Sequence, residues 1–319
     1  MNSFGVVHYR KSRAFLIGIV VWGLVFILAL KLGAVSDAPI ELISQIRLPR
    51  VLLASLVGMG LAVVGTALQA LFANPLCEPY TLGISSGSAL GAVLGVSLGL
   101  EWTVAGLTGT AFLGALLFAA ILYGVSSRLS SNNTTLLLTG VMLGFLGTSL
   151  VAIWMAMTDV NGLQSAMGWL FGDLSRARMK GVTVSAGFLL ALIFLLWRNW
   201  RELDGLLMGE EGAYSLGVDV PRVRRRIILL SSLIVGICVS AGGMIGFVGL
   251  VVPHFVRRQV GALHFALIPL AAIWGAIALT LADCGARYLV RPNELPVGVV
   301  TALLGAPVFL AILLRRETS

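Results

Sequence analysis

Ten apolar runs, most of them close to 20 residues long, follow one another along this sequence with short polar breaks between them. Coiled as a helix, a run of about 20 residues matches the hydrocarbon thickness of a bilayer. The runs lie at about 14–33, 51–72, 80–99, 102–127, 135–157, 180–200, 226–242, 244–259, 264–288 and 296–315. The eighth is the weakest. Its stretch from Met244 to Val256 is short and contains Pro253, so a partial or broken span is expected there. Of the 319 residues, 58% are hydrophobic and 11% charged, whereas soluble domains carry about 25% charged residues. A water-soluble globule of this size could not bury so much apolar surface, so the excess must face lipid. The predicted fold class is therefore an all-α membrane protein, a ten-helix transmembrane bundle forming one domain over 1–319.

Charge sets the orientation. The 22 basic residues exceed the 14 acidic ones by eight, which could suit nucleic acid, but the arginines punctuate the apolar runs instead of forming one stripe. With the N-terminus inside, 14 basic residues fall on the cytoplasmic side and 8 outside. That bias places both termini inside and requires an even number of spans. The first run is longer than a signal-peptide core and is read as a retained helix. Cys77, Cys238 and Cys284 lack metal-type spacing and read as small core residues.

Reaction chemistry is missing from the pattern. None of the three lysines follows a glycine, so there is no Gly-Lys-Ser/Thr phosphate loop. His8, His254 and His264 are too scattered for a zinc constellation. No cofactor, no metal and no catalytic residue is expected, and the chain is not read as an enzyme. Asp283 stands out as an ionisable residue inside an apolar run, four positions before Arg287. It reads either as half of an i,i+4 ion pair or as a functional carboxylate. A secondary carrier working alone would place such groups deeper, so that class is disfavoured.

The loops carry more information. Arg47 and Arg50 flank Leu48-Pro49 before the second run, and Arg287 closes the ninth. They read either as snorkelling interfacial residues or as basic patches for acidic residues of an external protein. The inner segment from Arg198 to Arg226 is the longest polar interruption. Its apolar residues between Leu206 and Val218, set among acids and glycines, suggest short amphipathic helices at the inner surface. A docking element for a cytoplasmic partner is the preferred reading over a plain loop. Two further inner turns, Asn74 to Pro79 and Ser130 to Thr135, are ordinary turns that would also suit a gate. Gly83, Gly87, Gly91, Gly95 and Gly99 form a ladder at every fourth residue, a stripe for close helix packing. Gly65 and Pro75 precede Gly243 and Pro253 by the same interval, which would fit an inverted internal repeat.

Taken together, several stretches resemble the FecCD-like permease subunits of type II ABC importers, which import iron–siderophore complexes, haem and cobalamin. These are Arg47-Leu-Pro-Arg50, Gly65-Thr-Ala-Leu-Gln69 continuing to Asn74-Pro75-Leu76, Leu216-Gly217, Gly246 to His254, Ala282-Asp283 with Arg287, and Glu294-Leu-Pro-Val-Gly298 continuing to Pro307. The resemblance implies a multi-pass protein of the bacterial cytoplasmic membrane that works as a homodimer or with a paired homologue. It implies cytoplasmic ATP-binding subunits, which hydrolyse the ATP, and a periplasmic or extracellular substrate-binding protein. Nucleic acid is not an expected partner. By the same resemblance, Arg47, Arg50 and Arg287, with Arg291 beside them, would dock the binding protein. Leu206, Gly209, Glu210, Ala213, Leu216 and Gly217 would be the clearest positions of the ATPase-coupling segment, at about 203–225. Asn74, Leu76, Asn133 and Thr134 would form the cytoplasmic gate, and the fifth helix would line the pathway. Iron–siderophore is the first cargo expected, with cobalamin or haem as the alternative.

Overall fold

The computed structural model describes residues 3–32, 39–100, 104–128, 133–290 and 293–317. Among these residues there are helices and turns but no strands. The helices, in chain order, are α1 (Ser3–Lys31), α2 (Ile40–Leu71), α3 (Ile84–Ser97), α4 (Val104–Arg128), α5 (Asn133–Met157), α6 (Val160–Leu170) and α7 (Met179–Trp197). They continue with α8 (Trp200–Leu206), α9 (Gly209–Ser215), α10 (Val220–Gly242), α11 (Val248–Val260), α12 (His264–Tyr288) and α13 (Val297–Glu317). By length and composition, seven of them can cross a membrane: α1, α2, α4, α5, α7, α10 and α12. The apolar helix Ile84–Ser97 and the stretch Val297–Ile312 are shorter.

Local chemistry explains where the helices depart from the predicted runs. α10 begins at Val220, earlier than position 226, because Asp219 caps it: the Asp219 carboxylate accepts from the Arg222 amide, and Pro221 fits the first turn. The third run loses its first residues to a 3-10 turn, Pro79–Leu82, which ends on Gly83 at φ 72°. The eighth run is broken as expected, but at its start. Residues 243–247 leave the helix, α11 occupies only Val248–Val260, and Pro253 sits inside it without ending it. The amphipathic helix α6 was not predicted.

α2 is the hub of the bundle, with all but a few of the residues from Pro49 to Leu71 buried. It packs against α12, α10 and α11. Two glycine pairs permit this closeness. A Cβ on Gly58 would collide with the Gly275 carbonyl of α12, and one on Gly65 would collide with the Gly249 carbonyl of α11. Such contacts let dispersion and backbone packing join helices where lipid supplies no hydrophobic drive. The glycine ladder of α3 is used in pieces. Gly87, Gly91 and Gly95 face Gly114, Phe118 and Thr110 of α4, Gly83 faces Gly140 of α5, and Gly99 meets nothing. All three cysteines are free and buried. By contrast, α5 leaves Leu138, Phe145, Leu146, Ile153 and Met157 exposed, an apolar face for lipid or another chain.

Candidate functional site

The segment expected to couple to an ATPase forms two helices of 7 residues each, α9 within the amphipathic stretch Leu206 to Val218 and α8 almost wholly before it. Leu203, Leu206 and Ala213 are buried and anchor the segment to the bundle, while Leu207, Met208, Tyr214 and Leu216 are exposed. Leu216 is 67% exposed and Met208 71%, a cost in water that a partner surface would remove. Glu210 pairs with the buried Arg224 of α10 at 2.5 Å, so α9 is clamped to the next spanning helix. Gly217 ends α9 with φ 78°. Its amide donates to the Tyr214 carbonyl and that of Val218 to the Ala213 carbonyl, the paired bonds of a left-handed helix stop that favours glycine. Gly209 opens α9 at φ 82°. Between α8 and the start of α10 lies an open cleft of about 590 Å³, lined by Trp200, Asp204, Leu216 and Arg222.

A link that the sequence did not reveal ties this segment to α12. Asp204 of α8 accepts from the backbone amide of His264 and contacts its Nδ1, both at 2.7 Å. It thus caps the first turn of α12, on which His264 is 1% exposed. Sixty positions separate the two residues, and no local signal marks the pair.

The arginine cluster sits at the opposite end of α12. Arg50 Nε donates to Asp283 Oδ1 at 2.8 Å, and its Nη1 to Glu294 Oε2 at 2.6 Å. Arg287 Nε lies 3.0 Å from Asp283 Oδ2. The predicted i,i+4 pair therefore forms, and Asp283 serves two guanidiniums. Arg47 donates to the carbonyls of Leu30 and Lys31 at 3.0 and 2.8 Å, and Arg287 to that of Leu32 at 3.0 Å. Both arginines thus satisfy the last carbonyls of α1 and complement its negative end. Arg47, Arg50 and Arg287 are 5%, 7% and 3% exposed. Sequence reasoning pictured them as exposed, either snorkelling or reaching outward. The structure holds all three inside the chain, because partners on α1, α12 and the loop before α13 converge there. Side-chain Glu294 remains 38% exposed. Arg291 lies outside the described residues.

At the predicted gate, the Leu76 amide donates to Asn74 Oδ1 at 2.9 Å, and Leu76 is exposed. Asn133 and Thr134 form the first turn of α5; residues 129–132 before them lie outside the described residues. Asn133 Oδ1 is buried without a hydrogen-bond partner among the described residues. Farther along α5, Gly140 packs on Thr81 and Leu82, so the two turns belong to neighbouring elements. Residues beyond the predicted set hold this region to the broken helix. Gln69 Nε2 donates to the carbonyls of Cys77 and Gly249, each at 3.2 Å. Tyr80 Oη accepts from the Ile245 amide, and Glu78 accepts from the Phe247 amide, where φ is 68°. A non-glycine residue in that conformation is strained and persists only where its surroundings impose it.

Residues 13–315 match the model of the FecCD transport family. The chain is 40% identical to the hemin transport system permease protein HmuU of Yersinia pestis over 88% of its own length and 86% of the relative's. It is 39% identical to the vitamin B12 import system permease protein BtuC of Vibrio parahaemolyticus over 97% and 96% of the two chains. A solved ABC transporter assigned to the metal-chelate type, in an inward-facing conformation, superposes with a TM-score of 0.88 at 31% identity, covering 95% of this chain and 99% of that one.

Proposed function

This chain belongs to the FecCD transport family, and we propose that within an ABC importer it is the permease subunit that moves an iron–siderophore type chelate inward by alternating access. It is a multi-pass protein of the cytoplasmic (inner) membrane. Its ten spans would consist of the seven long helices together with α3, α11 and α13, arranged as one permease domain over 1–319 with an inverted repeat. ATP hydrolysis belongs to separate subunits, and the chain itself performs no chemistry on the cargo.

The observation that carries this reading is the α8–α9 segment, with a buried inner face and an exposed apolar outer face around Leu216. An ATP-binding subunit seated on that face would push on α9, and the Glu210–Arg224 and Asp204–His264 contacts would pass the displacement to α10 and α12. Leu206, Gly209, Ala213 and Gly217 would keep the element rigid. Asn74, Leu76, Asn133 and Thr134 would close the inner mouth, and α5 would line the path between two copies or paired homologues. Among the described residues, the one carboxylate deep in the arginine cluster, Asp283, is already neutralised, which speaks against an ion-coupled carrier working alone.

Outside, a substrate-binding protein would dock over Arg47, Arg50 and Arg287. Since these side chains are satisfied internally, an acidic residue of that protein would have to replace Glu294 at Arg50. The cargo has a second reading, haem or cobalamin, favoured by the names of relatives at 39–40% identity. Two experiments test the proposal. Leu216→Asp should abolish co-purification with the ATP-binding subunit while the permease still inserts; intact assembly and uptake would refute the coupling role. Uptake of labelled ferric siderophore, haem and cobalamin into proteoliposomes holding the full complex decides the cargo, and exclusion of the siderophore would overturn the first reading.

A further inference from the structure

On the face of α13 opposite Leu303 and Pro307, a groove of about 370 Å³ runs between α11, α12 and α13. Its walls include Val251, Phe255, Trp274, Ala278, Val308 and Ile312, and every lining residue is apolar except Arg258. Phe255 and Trp274 meet edge-on, with ring centroids 4.8 Å apart and planes at 75°, which gives the groove a stiff aromatic wall. Spacing explains the arrangement. Positions 251, 255 and 258 share one face of α11, 274, 278 and 281 share one face of α12, and 308 and 312 lie one turn apart on α13.

Arg258 occupies the last turn of α11, is exposed, and forms no ion pair with any described residue. It lies at the end of the groove that the charge bias assigns to the cytoplasm. The apolar trough thus ends at one exposed guanidinium, on the side that the charge bias assigns to the inner leaflet. Anionic phospholipids concentrate in that leaflet, and basic pockets between spanning helices on its side bind their headgroups.

We propose that this groove is a binding site for an anionic glycerophospholipid, with one acyl chain lying against Phe255 and Trp274 and the phosphate held by Arg258. Charge separates this occupant from ordinary boundary lipid. The apolar trough accepts any acyl chain, whereas an unpaired guanidinium at its mouth rewards a net negative headgroup. The inference concerns no cargo and no partner subunit, so it stands whether or not the importer's cargo is an iron–siderophore.

The test uses the complete importer in nanodiscs made of equal phosphatidylglycerol and phosphatidylcholine with identical acyl chains. The complex is extracted into detergent, and the lipids retained on the permease are identified by native mass spectrometry. Wild type should retain phosphatidylglycerol over phosphatidylcholine by about fivefold, the scale set by one arginine near the membrane surface. R258Q should bring that ratio close to one, and R258K should keep most of it. Arg201, an exposed inner-side arginine stacked on Trp200 at 5.0 Å, is the control, and R201Q should leave the ratio unchanged. Equal retention of the two lipids by wild type, an undiminished ratio in R258Q, or an equal loss in R201Q would each overturn the site. Since Arg258 is exposed, its substitution does not threaten the fold.

Discussion

Arg50 and Asp283 lie 233 positions apart in the chain, yet the Arg50 Nε donates to the Asp283 Oδ1 at 2.8 Å, with the Asp283 side chain fully buried. The contact closes α2 onto the far end of α12, and Arg287 joins it from the same side as the Asp283 backbone. One buried carboxylate is therefore shared by two buried guanidiniums, and Glu294 supplies the second negative charge at Arg50. Removing it leaves both without their shared counter-charge.

Asp283→Ala should accordingly destabilise the chain by about 3–5 kcal/mol, the usual cost of stranding a buried ionic partner. Arg50→Ala should cost less, because Arg287 still compensates Asp283. Thermal unfolding of the purified permease in one detergent checks the order. A milder effect for Asp283→Ala than for Arg50→Ala would show that the cluster is not organised around Asp283.

Asp204→Ala should weaken the first turn of α12 by about 1 kcal/mol, the scale of a lost helix cap. It should also loosen the join between α8 and α12. The expected outcome is near-normal ATPase activity of the assembled complex with reduced uptake per ATP hydrolysed. Asp204→Asn, which keeps an oxygen acceptor, should restore much of that ratio. If transport and ATPase activity fall in parallel in both variants, the contact has no part in coupling.

Gly65→Leu should block folding, because its side chain would enter the backbone of Gly249, and neither helix can yield without opening the core. Gly109→Leu, at a position where a Cβ meets nothing within 4 Å, should be tolerated. The yield of monodisperse protein in detergent compares the two, and equal yields would contradict the close approach of α2 and α11.

Burial pushes the Cys77 thiol up to about 12 and leaves it 1% exposed. Thiolate is the reactive form, so a maleimide at pH 8 should label Cys77 only after denaturation. Cys77 sits in the Asn74–Pro79 turn, so labelling that appears on addition of ATP to the full complex would report movement of this turn. Rapid labelling of the resting native protein would disprove its burial.

Much of the fold could be read from sequence, because the bilayer imposes a length and a polarity on every span. The ten runs correspond in order to α1, α2, α3, α4, α5, α7, α10, α11, α12 and α13. The amphipathic spacing between Leu206 and Val218 anticipated α9, since periodicity is a local property, whereas α8 lies almost wholly before that stretch. Helix α6 escaped notice because its 11 residues mix Asn161, Gln164 and Ser165 with apolar positions, a pattern too short and too polar to read as a span. The early start of α10 depends on the Asp219 cap, which is also local and could have been recognised from Asp219 followed by Val220-Pro221.

Local patterning thus determined the membrane class, the succession of helices and the family resemblance. The tertiary structure decided where the ionisable side chains go. Arg47, Arg50 and Arg287 read as exposed in sequence because their partners are the carbonyl end of α1, Asp283 on α12 and Glu294 beyond it. The Asp204 cap on α12 and the Gln69 bridge to Gly249 likewise join residues from distant parts of the chain. No periodicity encodes such contacts. They exist because polar groups withdrawn from water must find partners wherever packing brings them together.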